Sequence, residues 1–192
     1  TGSDIWKERS DKVLGILLKI QRPDGGFDIG YDFNFGMLHK KGQSTSPELV
    51  GLVALAEYAR LFGPDKVSDA SSRAANWIGQ RAIDLGNGKW AIPYGPYSCT
   101  EVMVYNGTSF AEGALGRYLG FIDNDEKLRK IYEGMCVYLE SVLSSDAELP
   151  GRFWYYNDQS RENLSRSCRV KIDYYHQMQQ VEMHSLAQQA AP

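Results

Sequence analysis

The chain has 192 residues, 43% of them hydrophobic, so it can bury one sizeable core and is short for two domains. Its 21 Lys and Arg against 24 Asp and Glu give a net charge of -3, which argues against electrostatic binding of nucleic acid or an anionic membrane. No apolar run reaches the ~18 residues of a membrane span. The three cysteines form neither a zinc motif nor an even disulfide set. We therefore expect one domain without a metal, a cofactor or a membrane span.

A turn of glycine followed by an aromatic residue recurs along the chain. It reads Asp24-Gly25-Gly26-Phe27, then Asn87-Gly88-Lys89-Trp90, then Gly151-Arg152-Phe153. Phe27, Trp90 and Phe153 are 63 residues apart in both intervals (90 − 27 and 153 − 90). A fixed period of this size is typical of a repeated supersecondary unit. We therefore expect one domain over residues 1–192 with repeats at about 4–62, 65–122 and 125–190. A start at Thr1 is compatible with a piece of a longer polypeptide.

Each repeat has the pattern of a helical hairpin. Apolar residues at helical spacing predict first helices at about residues 6–20, 67–83 and 128–143. A loop of about 20 residues follows each glycine-aromatic turn, which is long for a compact domain. Start signals then predict second helices from Ser46-Pro47, from Thr108 or Ser109, and from Asp173. Gly51, Gly113 and Gly116 in the second helices indicate close helix contacts, because glycine costs about 1 kcal/mol in a helix interior.

The predicted fold is all-α, an incomplete (α/α) toroid or barrel of three helical hairpins with the second helices inside. Short alternating pieces at residues 89–94 and 153–156 are expected to form small β-hairpins on the loop face. All three long loops leave the same end of their hairpins, so we expect them to converge on one rim. Three hairpins are fewer than a closed ring has, and a homo-oligomer or a further domain is expected to complete it.

The predicted rim carries side chains suited to proton transfer on an acidic sugar. Such a reaction needs a base for the C–H, an acid on the opposite face or at the leaving oxygen, and a cation for the substrate carboxylate. Tyrosine adds a flat apolar face with a hydroxyl, which suits sugar rings. The rim residues are Asp28, Tyr31, Asp32, His39, Glu48, Tyr94, Tyr97, Glu101, Tyr105, Asn106, Arg152, Tyr155, Tyr156, Asp158, Asp173, Tyr174, Tyr175, His176 and Gln180.

Several short segments resemble the C-terminal catalytic region of D-glucuronyl C5-epimerases. They include Tyr105-Asn106-Gly107, Ala114-Leu115-Gly116-Arg117-Tyr118, Tyr132-Glu133-Gly134-Met135, Tyr156-Asn157-Asp158 and Asp173-Tyr174-Tyr175-His176. The resemblance extends over most of the chain through short matches. It implies an enzyme on uronic-acid polymers such as heparosan-like chains, in which paired tyrosines and an acidic residue exchange the C5 proton. The implied partner is an acidic polysaccharide or oligosaccharide.

The resemblance also implies roles for individual residues. The catalytic tyrosine of the family's Asp-Tyr-His segment falls on Tyr175, beside His176, with Tyr174 as the alternative because a second tyrosine is inserted here. The tyrosine of its Tyr-Asp segment falls on Tyr156, and its middle-loop acidic-tyrosine pair has a loose counterpart among Tyr94, Tyr97 and Glu101. Gln179 stands where the family has a second histidine. Gln159 replaces an arginine, so Arg152, Arg161, Arg166 or Arg169 would have to neutralise the substrate.

These considerations give two sets of candidate residues. The predicted catalytic residues are Tyr175, Tyr174, His176, Tyr156, Glu101 and Tyr105. The predicted substrate-binding residues are Asp28, Asp32, Glu48, Tyr94, Tyr97, Asn106, Arg152, Asp158 and Gln180.

Other functions stay open at this point. Epimerisation and β-elimination begin with the same proton abstraction. A six-hairpin-type glycoside hydrolase would need two rim carboxylates, Asp28 or Asp32 with Glu101 or Asp173. A non-catalytic glycan-binding or scaffold domain would use the aromatic rim without an acid/base set.

Ordinary structural roles compete with the functional ones at several residues. Glu48 fits a helix N-terminus, and His176 fits a helix cap. Of Tyr174 and Tyr175, one is expected to pack inward, because consecutive helical residues point about 100° apart. Asp24-Gly25-Gly26-Phe27 is expected to be a structural turn rather than a binding loop.

Overall fold

The computed structural model describes residues 4–35, 37–95, 104–145, 151–156 and 172–190. In these residues the chain is mostly helical, which confirms the predicted class. The helices are α1 (Asp4–Ile20), α2 (Val50–Phe62), α3 (Ser68–Arg81), α4 (Tyr105–Phe121), α5 (Glu126–Ser141) and α6 (Tyr174–Ala190). They follow one another as three consecutive pairs of a first and a second helix.

The first helices, α1, α3 and α5, lie where the apolar period predicts them. In α5 the Asp125 side chain caps the helix by accepting a 2.9 Å hydrogen bond from the backbone N–H of Leu128. The apolar residues whose spacing indicates α1 do not all face the core. Leu14 is buried, whereas Val13 and Ile16 are exposed. Apolar residues surround much of this helix, so the period alone does not identify the side that meets α2.

The second helices begin close to their predicted starts, with one correction. A 3-10 turn at Pro47–Leu49 leads into α2, and Asp173 caps α6 by accepting a 2.9 Å hydrogen bond from the His176 backbone N–H. The predicted start of α4 at Thr108 or Ser109 is wrong, since the helix already begins at Tyr105. Gly107 weakens the local helix signal, but a side chain there would meet Ser46 Oγ at 2.5 Å, so close packing against the α2 start requires the glycine.

The helix α4 lies at the centre and runs parallel to α2 and α6. Its residues 105–119 are buried. Ideal Cβ atoms at Gly113 and Gly116 would come within 3.0 Å of Met183 and within 2.8 Å of Ala187 on α6. Residue numbers increase in the same direction along the contact on both helices, so the two helices are parallel. The glycine-based prediction of close helix contacts is therefore confirmed.

The contacts with α2 have the same order. Gly107 lies against Ser46. The Arg117 guanidinium, ten residues further along α4, pairs with Glu57, which is further along α2. The second helices α2, α4 and α6 are thus neighbours with a common direction. The more complete toroid remains a prediction.

Three small antiparallel hairpins accompany the helices in the described residues. They pair β1 (Phe33–Phe35) with β2 (Met37–His39), β3 (Ile83–Gly86) with β4 (Lys89–Ala91), and β5 (Ser144–Ser145) with β6 (Arg152–Phe153). Asn87 and Gly88 connect β3 to β4 with φ of 53° and 75°, the conformation that an Asn-Gly hairpin turn supplies. This agrees with the strand pieces expected at two of these places.

The turn at Asp24-Gly25-Gly26-Phe27 is structural, as expected. Gln21 and Phe27 form a β-bridge across it, and the Asp24 carboxylate accepts a 3.2 Å hydrogen bond from the Gly26 N–H. The Phe27 ring is buried against Gly51, where a Cβ would approach it to 2.7 Å. The turn therefore fixes the first hairpin against α2. No helix of the described residues is long and apolar enough to cross a membrane.

Candidate functional site

The N-terminal ends of the second helices meet on one side of the molecule. Because α2, α4 and α6 are parallel, their first residues lie at the same end. The Ser46 N–H donates to the Tyr94 carbonyl at 2.9 Å, and the Tyr105 N–H donates to the Tyr156 carbonyl at 3.1 Å. Residues from all three repeats are thus linked, as the rim prediction requires. Tyr156 contacts Tyr105 through this backbone hydrogen bond and His176 through its ring, so the three residues are neighbours.

An Asp–His pair lies at the start of α6. The His176 Nδ1 atom is 2.6 Å from both carboxylate oxygens of Asp173. The same carboxylate caps the helix through the His176 backbone N–H. Asp173 therefore fixes both the backbone and the ring of His176. In the neutral ring, a carboxylate in this position favours the tautomer with the proton on Nδ1.

Two tyrosine rings contact the His176 ring edge-on. The Tyr156 centroid is 4.6 Å from that of His176 with an interplanar angle of 74°, and the Tyr175 centroid is 5.3 Å away at 84°. The predicted candidates His176, Tyr156 and Tyr175 are therefore neighbours. This arrangement brings together a base, the imidazole, and two phenolic hydroxyl groups within a small volume. We call Asp173, His176, Tyr156 and Tyr175 the Asp–His–Tyr cluster.

Amide side chains adjoin the cluster on the α4 side. Gln179 donates a 2.9 Å hydrogen bond to the Tyr175 hydroxyl and lies 3.4 Å from the Asn106 Nδ2 atom through its Oε1. Asn106 and Gln180 are buried, and neither the Asn106 Oδ1 atom nor the Gln180 amide has a hydrogen-bond partner among the described residues. Gln180 points into the packed interior, so its predicted contact with substrate remains a prediction.

Asp28 and Asp32 stabilise their own loop. The Asp28 carboxylate accepts hydrogen bonds from the Gly30 and Gly42 N–H groups, at 2.7 and 2.8 Å. These backbone hydrogen bonds hold the pKa of Asp28 below its usual range. Asp32 accepts a 2.7 Å hydrogen bond from the Lys41 N–H, which lowers its pKa in the same way. Both residues join the two ends of the β1–β2 hairpin.

Glu48 is a buried carboxyl group at the start of α2. It accepts a 2.8 Å hydrogen bond from the Thr45 N–H and a second one from the Thr45 hydroxyl. Burial raises the pKa of Glu48, and the hydrogen bonds from Thr45 oppose that effect. The negative charge of Asp28 adds a smaller upward contribution, so the two carboxyl groups are within electrostatic range. Glu48 thus has the helix-start role that its sequence position indicates.

Four candidate residues have positions that differ from those expected. The Tyr105 ring is 3% exposed and packs on Tyr138 with a centroid distance of 5.8 Å, so it supports the site from the core. Arg152 is exposed and donates to the Leu143 carbonyl at 3.4 Å within the β5–β6 hairpin. The expectation that Tyr174 or Tyr175 packs inward is wrong, since they are 81% and 67% exposed. The first turn of α6 lies at the edge of the described helices, which leaves both rings outside.

The remaining candidates are Tyr94, Tyr97, Glu101 and Asp158. Tyr94 is half-buried, and its ring lies 3.9 Å from the position of a Cβ on Gly107, at the junction of α2 and α4. Tyr97, Glu101 and Asp158 lie outside the described residues. Their predicted roles remain predictions.

Sequence reasoning missed two residues that border the cluster, Gln177 and Trp154. The Trp154 N–H donates to Gln177 Oε1 at 3.0 Å, and Gln177 Nε2 donates to the Trp154 carbonyl at 2.6 Å. Gln177 follows His176 directly, but a glutamine after a histidine has no local signature. Only the contact across 23 residues identifies it.

A second carboxylate–histidine pair lies between α4 and α6, with Glu112 buried and His184 half-buried. His184 Nδ1 lies 3.0 Å from the Glu112 carboxylate, and the Cys136 thiol lies 3.5 Å from the same group. Burial, with a further contribution from the charge of Glu112, raises the pKa of the Cys136 thiol to about 12. A thiol in that state is a poor nucleophile. No cluster of three or more His, Cys, Asp or Glu that could hold a metal ion occurs among the described residues.

Comparison with known proteins gives one solved structure to report. No protein-family model and no curated protein matches the sequence. A mutant of a family 10 polysaccharide lyase from Cellvibrio cellulosa, in complex with trigalacturonic acid, is similar to this chain at 18% identity and a TM-score of 0.48. The match covers 78% of this chain and 50% of that protein, so the chain spans about half the length of the lyase.

Proposed function

We propose that this protein is an enzyme that acts on a uronic-acid-containing polysaccharide and removes the proton at C5, α to the carboxylate. The Asp–His–Tyr cluster is the observation that carries the proposal, because it holds a histidine between a carboxylate and two tyrosines. The resemblance to D-glucuronyl C5-epimerases, which the sequence suggests at Tyr156, Tyr175 and His176, supports the same reaction.

The chemistry follows from which atoms of the cluster are engaged. His176 Nδ1 is held by Asp173, so Nε2 is the atom that accepts the C5 proton, and the Asp173 carboxylate keeps the ring oriented. The electron pair left on C5 is delocalised into the substrate carboxylate. In epimerisation, a tyrosine hydroxyl returns a proton to C5 from the other face. In β-elimination, the C4–O4 bond breaks instead, and a hydroxyl protonates the leaving oxygen.

The cation that neutralises the substrate carboxylate is expected among Arg161, Arg166 and Arg169, which lie outside the described residues. The hydrogen bond that Arg152 makes within its own hairpin disfavours it for this role.

For the architecture, we propose that the three hairpins form an arc of an α/α toroid. The parallel direction of α2, α4 and α6 supports this, because inner helices of such a ring share one direction and present their N-terminal ends to one rim. A second copy or further polypeptide would close the ring.

The direct test is exchange of the C5 proton in D₂O, on heparosan, alginate and polygalacturonate, with absorbance at 232 nm as the sign of elimination. His176→Gln should lower the exchange rate by about 100- to 10,000-fold, the usual contribution of a general base. Asp173→Asn should lower it as well, since the ring loses its orienting carboxylate. Asp69→Asn, an exposed carboxylate change on α3, is the matched control and should retain the wild-type rate.

The two adjacent tyrosines separate the assigned residue from its alternative. Tyr175→Phe should slow the exchange, because the Tyr175 ring contacts His176 and its hydroxyl is hydrogen-bonded to Gln179. Tyr174→Phe should have the smaller effect, because Tyr174 is more exposed than Tyr175. Absence of both exchange and unsaturated product with all three polymers would reject the proposal. Tight polymer binding without turnover would instead assign a glycan-binding domain.

Glycoside hydrolysis is the second candidate, favoured by the opposite perturbation of two carboxyl groups. Burial raises the pKa of Glu48, while backbone hydrogen bonds lower that of Asp28, which is the division of a general acid and a base or nucleophile. Under this mechanism, Glu48→Gln would abolish the release of reducing ends and His176→Gln would not. Wild-type protein that releases no reducing ends from neutral or acidic glycans would eliminate it.

A further inference from the structure

Trp154 is fixed by contacts on several sides, two residues before Tyr156. Its indole N–H donates a 2.8 Å hydrogen bond to the Leu139 carbonyl in α5. Its ring stacks on His184 of α6 with a centroid distance of 5.4 Å and an interplanar angle of 25°. Its backbone N–H and carbonyl are both paired with the Gln177 amide. All four contacts involve side chains of α6 or the backbone of α5, so Trp154 joins these two helices.

Gln177 binds the backbone of Trp154 as a neighbouring β-strand would. One amide group accepts from the N–H at 3.0 Å and donates to the carbonyl of the same residue at 2.6 Å. A pair of hydrogen bonds to a single residue fixes both position and orientation of the peptide. Because Gln177 directly follows His176, the fixed peptide is tied to the turn of α6 that carries the imidazole.

The segment beyond Trp154 is short and held at its other end. Two residues of chain extend over at most about 7 Å, and the Tyr156 carbonyl accepts a 3.1 Å hydrogen bond from the Tyr105 N–H at the start of α4. The Tyr156 backbone is therefore defined from both sides. Its ring meets His176 at a centroid distance of 4.6 Å.

We propose that Gln177 is a positioning residue, which holds the 154–156 segment on α6 and thereby sets the distance between Tyr156 and His176. This inference rests on the proposed function in that it assigns a catalytic purpose to the distance. Gln177 acts through the backbone of Trp154 and touches neither the substrate nor the reacting atoms. The indole keeps its own contacts to Leu139 and His184, so the loss of Gln177 leaves Trp154 packed while its peptide is free to shift.

Two variants of Gln177 separate the donor from the acceptor. Gln177→Met has a similar length and removes both hydrogen bonds, whereas Gln177→Glu keeps the acceptor for the Trp154 N–H and loses the donor. Gln188→Met, at an exposed position near the end of the same helix, is the matched control. In the C5 exchange assay, Gln177→Met should lower kcat about 10- to 100-fold with KM within about twofold, because a shift of about 1 Å at a reacting group has effects of this size. Gln177→Glu should lie between Gln177→Met and wild type, and Gln188→Met should equal wild type.

A second measurement tests the positioning without any activity. The ring protons of His176 experience the ring current of Tyr156, so their NMR shifts report the contact directly. Gln177→Met should move these shifts toward the values in Tyr156→Leu, while Gln188→Met should leave them unchanged. Unchanged shifts in Gln177→Met would overturn the inference. A shift change in a protein that catalyses no exchange would support the positioning and refute only the proposed function, so the two failures are distinguishable.

Discussion

Gly116→Ala tests the close contact between α4 and α6, on which the geometry of the site depends. A Cβ at this position would lie 2.8 Å from the Cβ of Ala187 and 3.1 Å from Cε2 of Tyr132. Carbon atoms in ordinary contact are about 3.5–4.0 Å apart, so α6 would have to move by roughly 0.7–1.2 Å. Overpacking of this kind costs about 1–3 kcal/mol.

Gly15→Ala, in the middle of α1, is the matched control. A Cβ at Gly15 meets nothing within 4 Å, so this variant should show only the gain in helix propensity, about 1 kcal/mol. Gly116→Ala gains the same propensity, and the difference between the two variants therefore isolates the packing cost. We expect Gly15→Ala to be the more stable by about 1–3 kcal/mol.

Urea unfolding followed by far-UV circular dichroism measures the difference in the free energy of unfolding. For a domain of this size, each kcal/mol corresponds to about 2–4 °C in Tm. Movement of α6 would also displace His176, so Gly116→Ala should slow C5 exchange while Gly15→Ala does not. Equal stabilities of the two variants, with unchanged m-values, would refute the reasoning, because the two helices could not then be in contact at Gly116.

The other predictions concern ionisable groups. Because the pKa of Asp28 is lowered, the unfolded chain binds more protons than the folded protein below about pH 4, and stability falls as the pH drops there. Asp28→Asn should weaken this loss of stability at acid pH, as measured by pH-dependent urea unfolding. An unchanged pH dependence would contradict the prediction. The pH dependence due to Glu48 has the opposite sign. Because its pKa is raised, the folded protein keeps this proton to a higher pH than the unfolded chain does, so stability falls as the pH rises from about 4 through the folded pKa. Glu48→Gln should remove that decline in pH-dependent urea unfolding. The third prediction concerns Cys136, studied in a Cys99→Ser, Cys168→Ser background. It should react slowly with a disulfide reagent at pH 8 and rapidly in urea, because a pKa of about 12 leaves little thiolate in the folded protein. Fast reaction of the native protein would contradict the burial of this thiol.

Local patterns in the sequence were sufficient to predict the helices and their order along the chain. The 63-residue spacing of Phe27, Trp90 and Phe153 predicted three hairpins, and helical periodicity predicted α1, α3 and α5 to within a few residues. Asp173 was recognised as a helix start from its residue type alone. These signals act between residues that are close in sequence, through backbone hydrogen bonds and side chains one turn apart. The glycines of α4 predicted a close helix contact without naming the helix that makes it.

Tertiary packing decided what those local signals leave open. The partner of Gly113 and Gly116 is α6, and the side of α1 that is buried is the one with Leu14, because neighbouring helices cover those faces and no others. The Asp173–His176 pair is local, but the approach of Tyr156 and the anchoring of Trp154 by Gln177 join parts of the chain about 20 residues apart, across a change from hairpin to helix. Contacts of this kind depend on the positions that whole helices and hairpins take when their apolar faces are buried. Those positions are a property of the folded chain and cannot be read from any single segment of the sequence.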